Sequence, residues 1–402
     1  SGWRTTGGAS VVWAAAVRPS ARTPAAPSCS TLSSRLYLVQ AARRFVRAAV
    51  HSTGAVVADC VAIGVAVGIL PWNFPFFVMA RKVAASLITG NTCVIKPSCI
   101  APNTIMEWTK LIQKIELPAG VLNMVCGSGT IVGNALCKSP VAGIISLTGS
   151  VFAGQKIMAA AAENITKVSL ELGGKAPAIV CADANLELAV NAVVSSRIIY
   201  SGQVCNCAER VYVEESIHDQ FLDMVTAKMK AIKVEDAFSE NNPDMSALVS
   251  KAQLDKVSEM VEFAKKEGAE VLVGGSRSSQ FDKGYFYQPT LLTNVRQDMQ
   301  IIQEEVFGPV LPVMKFSTLD EAIALANDSE FGLTSSIFSE NFNKVMHAAE
   351  ELQYGETYIN REHFEAIQGF HAGWKKSGLG GADGKHGMEE YLQTKVVYAQ
   401  YR

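Results

Sequence analysis

From residue 61 onward, short β-branched and apolar runs alternate with longer helical patterns, and that alternation limits the possible folds more than any other feature of the chain. VAVGIL (65–70), TCVIK (92–96), VLNMVC (121–126) and AGIISLT (142–148) read as strands, with VMARKVAASLI, TIMEWTKLIQKI and TIVGNALCK as the helices between them. Each crossover has the length that a parallel connection requires. The pattern predicts a doubly wound α/β domain with ligands at the carboxyl ends of its strands. A second α/β unit is expected after ELGGKAPAIV (171–180), opened by the buried helix LELAVNAVVSSRII. In the next helix, FLDMVTAKMKAI, Phe221, Met224, Val225, Met229 and Ile232 share one face and read as core.

A chain of 402 residues has room for two or three domains. Lys and Arg total 36 against 38 Asp and Glu, so no global field draws nucleic acid or an acidic membrane, and a small-molecule function leads. The nine cysteines are odd in number and irregularly spaced, the pattern of free thiols in a reducing compartment. The uncharged stretch 61–80 has the length of a membrane span, but Pro71, Asn73 and Pro75 would break a helix in its middle. It reads instead as a buried strand, an irregular turn and the start of a helix. The first 58 residues hold seven arginines, no lysine and no acidic residue, a composition closer to an organellar transit segment than to a packed domain.

SGQVCNCAER (201–210) sets Cys205 and Cys207 two positions apart. No C-x2-C spacing occurs and the six histidines are dispersed, so no metal site is expected. A disulfide across one intervening residue would close a strained ring. Buried structural cysteine and nucleophile both stay open, with Ser201-Gly202-Gln203 read as small and polar residues that admit substrate and solvent. Glu171 stands at a strand end before two glycines, which suits either a cleft-facing general base with backbone freedom or a surface glutamate. Asn73, held between prolines, suits an oxyanion donor or a turn former. CGSGTIVG (126–133) and LTGSVFAG (147–154) each join a strand to a helix; Gly149, Ser150 and Gly154 of the second could bind phosphate, and either stretch is equally a tight turn.

Taken in order, PWNFP, VIKPS, LTGSVFAG, LELGGK, GQVC, EEVFGPV, INR and SGLGG resemble the aldehyde dehydrogenase superfamily over about residues 61–402. SGQVCNCAERVYV, GETYINREHFEA, QGFHAGWKKSG and ADGKHG look most like its lactaldehyde and glycolaldehyde branch. The resemblance implies an aldehyde dehydrogenase-like α/β fold: an atypical segment at 1–60, a nicotinamide dinucleotide-binding domain at 61–173, a catalytic domain at 174–380, and an oligomerisation strand within 381–402. It implies Cys205 as nucleophile, Glu171 as base, and the Asn73 side chain with the Cys205 N–H as oxyanion donors. The aldehyde would become a carboxylic acid through a thiohemiacetal and a thioester.

For the cofactor, NAD, the resemblance assigns Lys96 and Ser98 on the adenosine side, Gly129 and Gly133 on the adenine wall, and Gly149 and Ser150 near the pyrophosphate. Glu305 and Phe307 would take the nicotinamide ribose and ring, with Trp72 nearby. Arg81, Asn206, Glu365 and His371 are the implied contacts to a small hydroxylated aldehyde. Cys99 stands where the family has a ribose-gripping glutamate, which keeps NADP open. A cytoplasmic homo-oligomer is expected, with an organelle as the alternative location. A silent relative with a structural or binding role, or a semialdehyde dehydrogenase, is the alternative function.

Overall fold

The computed structural model describes residues 54–400 together with strand residues 14–15 and 47–51, with side chains from Cys60 onward. The described chain divides into two compact units: one takes residues up to Thr148, Ala153–Ser169 and those from Ala382, the other Gly149–Phe152 and Leu170–Gly381.

In the first unit, strands Leu122–Val125, Thr92–Lys96, Val65–Ile69 and Ala142–Thr148 lie side by side in that order, all parallel. Two of the three expected crossover helices of the first half thus fall where the periodicity puts them. The exception is TIVGNALCK, where a wide π-type turn at Gly129–Gly133 precedes a single helical turn at Asn134–Cys137. Ser128 caps it by accepting from the Ile131 N–H at 3.2 Å. Helices Pro75–Ile88 and Asn103–Ile112 cover one face and pack Val78, Met79, Val83 and Ile105 against Ile95, Leu122 and Met124.

The strand Leu392–Ala399 pairs antiparallel with Gly54–Ala62, which pairs in turn with Arg47–His51. The carboxyl-terminal strand, expected at a subunit boundary, therefore has a partner within its own chain. No helix among the described residues is long and apolar enough to cross a membrane. Of the first 58 residues, expected to form a transit-like segment, 1–13, 16–46 and 52–53 lie outside the described residues.

The second unit is a seven-stranded sheet in the order Glu270–Val273, Thr290–Thr293, Val310–Phe316, Ala208–Glu214, Ala176–Val180, Thr334–Phe338, Glu356–Ile359. All pairs are parallel except the first. Both faces are covered, so the central strands are apolar in alternation and on both sides. Ala178, Val180, Val211 and Val213 face helices Leu186–Ile198 and His218–Lys230, while Ile179, Cys181 and Tyr212 face Leu319–Asn327 and Phe342–Glu351. Phe221, Val225 and Met229 are fully buried, and Met224 and Ile232 pack at the edge of the same cluster.

Arg210 is the largest burden on this core: its guanidinium is wholly buried without a carboxylate, yet every direction is occupied. It donates to Lys175 O (3.0 Å), Ala326 O (2.9 Å), Tyr354 Oη (2.8 Å) and Tyr212 Oη (3.0 Å), knitting two strands to the Leu319–Asn327 helix. Arg210→Met keeps most of the stem but strands these acceptors, and is expected to lower stability by about 3 kcal/mol or more in guanidinium denaturation. A loss below about 1 kcal/mol would show that the hydrogen-bond set carries no net stabilisation.

Candidate active site

The chemistry-bearing residues of the second unit gather at the amino ends of its parallel strands. Glu171 to Lys175 lead into Ala176–Val180, Cys205 to Cys207 into Ala208–Glu214, Glu305 to Gly308 into Val310–Phe316, and Glu356 opens its own strand. The carboxyl-end expectation is met on the sheet of the first half, where Gly149 and Ser150 follow Ala142–Thr148 and Glu171 closes strand Lys167–Glu171. There, Trp72 and Asn73 follow Val65–Ile69, Lys96 and Ser98 close Thr92–Lys96, and Gly129 and Gly133 follow Leu122–Val125.

Cys205 is half-buried at the end of a tight turn. Tyr200, Ser201 and Gly202 are three successive residues with left-handed φ of 50°, 55° and 73°. A Cβ on Gly202 would stand 2.2 Å from Gly308 O, so the glycine is required by backbone approach. The expectation that Ser201 and Gln203 open the nucleophile to solvent fails: they are 3% and 2% exposed. Ser201 Oγ donates to Ser246 O at 2.7 Å, and Gln203 Oε1 accepts from Val249 N–H at 2.9 Å. Their polarity holds the turn rigid.

Cys207 points the other way. It is buried, its Sγ donates to Val204 O at 2.9 Å, and burial pushes its thiol up to about 12. It is a free thiol, as is Cys205.

Glu171 is 5% exposed, not a surface side chain, and its backbone carbonyl accepts from Gly149 N–H at 3.0 Å. The glycines after it serve packing, not freedom to swing. A Cβ on Gly173 would lie 2.7 Å from the Glu305 carboxylate, and one on Gly174 2.3 Å from Cys205 O. The double glycine thus brings the base, the nucleophile and Glu305 together.

His371, 3% exposed, connects the two proposed reactive groups. Its Nδ1 lies 3.2 Å from Glu356 Oε1, and the Cys205 side chain is near enough to influence its ring. Burial would depress the imidazole, but Cys205, Glu356 and the charge of Glu171 hold it well above the usual histidine range. Beside it, Asn206 Nδ2 donates to Glu365 Oε2 at 2.5 Å, uniting two of the expected substrate contacts. Phe307, another expected contact, adopts left-handed φ of 58°. Glu356, which orients His371 and accepts from Tyr358 Oη, was not singled out by the sequence; only its place in GETYINR beside the resemblance motifs marked the region.

In the first unit, Arg81 is bound in a buried ion pair with Asp383 and its guanidinium stacks 4.3 Å over Phe77. Asn73 is 9% exposed in the turn before Pro75–Ile88. Lys96 is buried; its Nζ donates to Pro97 O at 2.9 Å, and burial lowers its basicity. Gly133 lies against the Lys96 stem, 3.8 Å from where its Cβ would stand, while Gly129 faces open space. Ser98 Oγ accepts from Ile100 N–H, and Cys99 Sγ donates to Gly127 O at 3.0 Å. A cation, a hydroxyl and an open glycine turn at parallel-strand carboxyl ends fit a ribose and adenine. Ser150, assigned to the pyrophosphate, is exposed immediately before helix Val151–Ala161.

Comparison with known proteins identifies the family. The family model described as "Aldehyde dehydrogenase family" matches residues 31–397. Lactaldehyde dehydrogenase of Escherichia coli (strain K12) is 58% identical over 84% of this chain and 70% of that protein. A crystal structure of lactaldehyde dehydrogenase from Escherichia coli superposes with a TM-score of 0.87 at 52% identity, covering 92% of this chain and 79% of that one. Betaine aldehyde dehydrogenase from Staphylococcus aureus, in complex with NAD+, gives 0.87 at 35% identity over 91% of this chain and 73% of its own. The chain belongs to the aldehyde dehydrogenase family and is an oxidoreductase of that family.

The two thiols should separate chemically. At pH 8 a thiol held near 12 is ionised to about one part in ten thousand, so iodoacetamide should alkylate Cys205 in the folded protein and leave Cys207 unmodified until denaturant is added. Fragmentation of the shared tryptic peptide reads both sites, and equal labelling would contradict the burial of Cys207.

Proposed function

We propose that the chain oxidises a small hydroxyaldehyde, such as lactaldehyde or glycolaldehyde, to its carboxylic acid with NAD, NADP being tolerated. The observation that carries this reading is the polar cluster around the half-buried Cys205: His371, held by Glu356 and near the thiol, with Asn206 and Glu365 joined beside it. A pocket for an unsubstituted aliphatic aldehyde has no use for three buried or half-buried polar side chains, whereas a substrate hydroxyl can replace their mutual hydrogen bonds. The similarity to lactaldehyde dehydrogenase supports the same substrate class.

In this reading the Cys205 sulfur attacks the aldehyde carbon to give a thiohemiacetal, and the developing oxyanion is met by the Cys205 N–H. The sequence resemblance adds the Asn73 amide as a donor. The nicotinamide cofactor, when bound, accepts the hydride that leaves as the thioester forms. Glu171 then takes a proton from water, which attacks the thioester carbon; the carboxylic acid leaves and the Cys205 thiol is restored. Lys96, Ser98, Gly129 and Gly133 would hold the adenosine half, Ser150 the pyrophosphate, and Glu305 and Phe307 the nicotinamide half. Cys99 brings no negative charge to the adenosine ribose, which removes a repulsion against a 2′-phosphate. A homo-oligomer in the cytoplasm is the assembly and location we assign, the former on the sequence resemblance to oligomeric family members.

Reduced-nicotinamide absorbance with lactaldehyde, glycolaldehyde, propanal and a semialdehyde, each with NAD and NADP, tests the reading. The two hydroxyaldehydes should show the highest kcat/KM. Cys205→Ala should abolish turnover by a factor of about 10³ or more, Cys207→Ala should keep it within a few fold, and Glu171→Gln should yield a burst of reduced cofactor without sustained turnover. A folded wild-type protein silent with every pair would favour a structural or binding role instead.

A further inference from the structure

Glu209, four residues beyond the nucleophile, has no part in the chemistry above, yet it is the most heavily engaged carboxylate of the second unit. It is 2% exposed. Its Oε2 accepts from Lys175 Nζ at 2.8 Å and from Val306 N–H at 3.0 Å; its Oε1 accepts from Phe307 N–H at 3.0 Å and lies 3.2 Å from Arg197 Nη1. The two amides belong to the loop that follows Glu305. Phe307, with left-handed φ of 58°, is strained and needs such anchoring. Gln253 Nε2 supports the same turn by donating to Phe307 O at 2.8 Å.

We infer that Glu209 is a positioning residue of the cofactor grip: its buried carboxylate pins the backbone of the loop that carries Glu305 and Phe307, and faces Glu305 with a second negative charge. The inference rests on the reading above, in which Glu305 and Phe307 take the nicotinamide ribose and ring.

The charges around Glu305 and the Glu209 beside its loop come from four elements. Glu209 lies at the start of strand Ala208–Glu214, Lys175 just before Ala176–Val180, Arg197 near the end of helix Leu186–Ile198, and Lys256 on helix Lys251–Lys266, donating to Glu305 O at 2.7 Å. Glu305 Oε1 itself accepts from Gly174 N–H at 2.9 Å. Burial first, then the charge of Glu209, raises Glu305 to about 7, against the pull of Gly174 N–H, Lys256 and Lys175. Burial alone would raise Glu209 as well, but Lys175 and Arg197 hold it down at about 2, so of the two carboxylates Glu209 keeps the charge.

The sign follows. Above about 7 Glu305 is a carboxylate that accepts from both hydroxyls of a ribose diol; below, it is a neutral acid that has lost part of that capacity. Cofactor affinity therefore weakens as pH falls through this window, and removing the Glu209 charge moves the step to lower pH.

Titration of the full-length protein with NADH, followed by its fluorescence between pH 5.5 and 9 without aldehyde, reads this directly. The wild-type Kd should rise about tenfold from pH 8 to pH 6. Glu209→Gln should move the step acidward by about one pH unit and speed amide exchange in the peptide containing Val306 and Phe307. Glu209→Asp keeps the charge on a shorter arm, so it should hold the wild-type step while still loosening that peptide. Glu305→Gln should bind more weakly with no step. A wild-type Kd that stays flat, or a step and exchange rate unmoved by Glu209→Gln, overturns the inference, and the wild-type profile remains decisive should that variant not fold. If Glu305→Gln binds NADH like the wild type, the cofactor reading itself fails.

Discussion

The second unit depends on one buried ionic cluster. Glu209, Lys175 and Arg197 are each almost fully inaccessible, and a lone charge at that depth would cost several kcal/mol. Their value lies in what they join. Lys175 ends the segment that starts at Glu171, Arg197 donates to Gly202 O and Ala208 O on either side of Cys205, and Glu209 takes the amides after Glu305. Three loops from separate strands are thereby tied to one point, and Glu171, Cys205 and Glu305, the proposed base, nucleophile and cofactor carboxylate, inherit their spacing from it.

Around that anchor, close backbone approaches leave little slack. Gly173, Gly174 and Gly202 each stand where a side chain would collide with Glu305, Cys205 O or Gly308 O. The turn before Cys205 accepts three successive left-handed residues because Ser201 and Gln203 hydrogen-bond the backbone of Ser246 and Val249. Rigidity of this kind suits the nucleophilic role proposed for Cys205, which would hold an acyl group through two steps. The two thiols differ so widely because neither lies in the strand that begins at Ala208, where positions two apart would face the same way; in the turn before it Cys207 packs into the core while Cys205 stays half-buried.

The strands of the first unit and the core stripe Phe221, Val225 and Met229 could be read from periodicity because local pattern reports which face is buried. The nucleophile and base could be proposed from their motifs, but the reasons first attached to those motifs were local and two of them fail. Small and polar residues before Cys205 suggested openness, and glycines after Glu171 suggested freedom; both are packing devices whose partners, Gly308, Val249, Glu305 and Cys205, are supplied by other parts of the chain. Glu209 and Glu356 left no signal, since an acidic residue at a strand start looks the same whether it is solvated or neutralised.

By itself, the sequence determined the alternation of strands and helices, the order of the motifs and hence the family, all of which depend on neighbours along the chain. Tertiary structure alone decided that the second unit's chemistry lies at the amino ends of its strands, that Cys205 and not Cys207 meets His371, and that Glu305 shares its surroundings with Glu209. These outcomes rest on hydrogen bonds and charges between residues from different strands and helices, whose energies change with burial and with distances that only folding brings within reach.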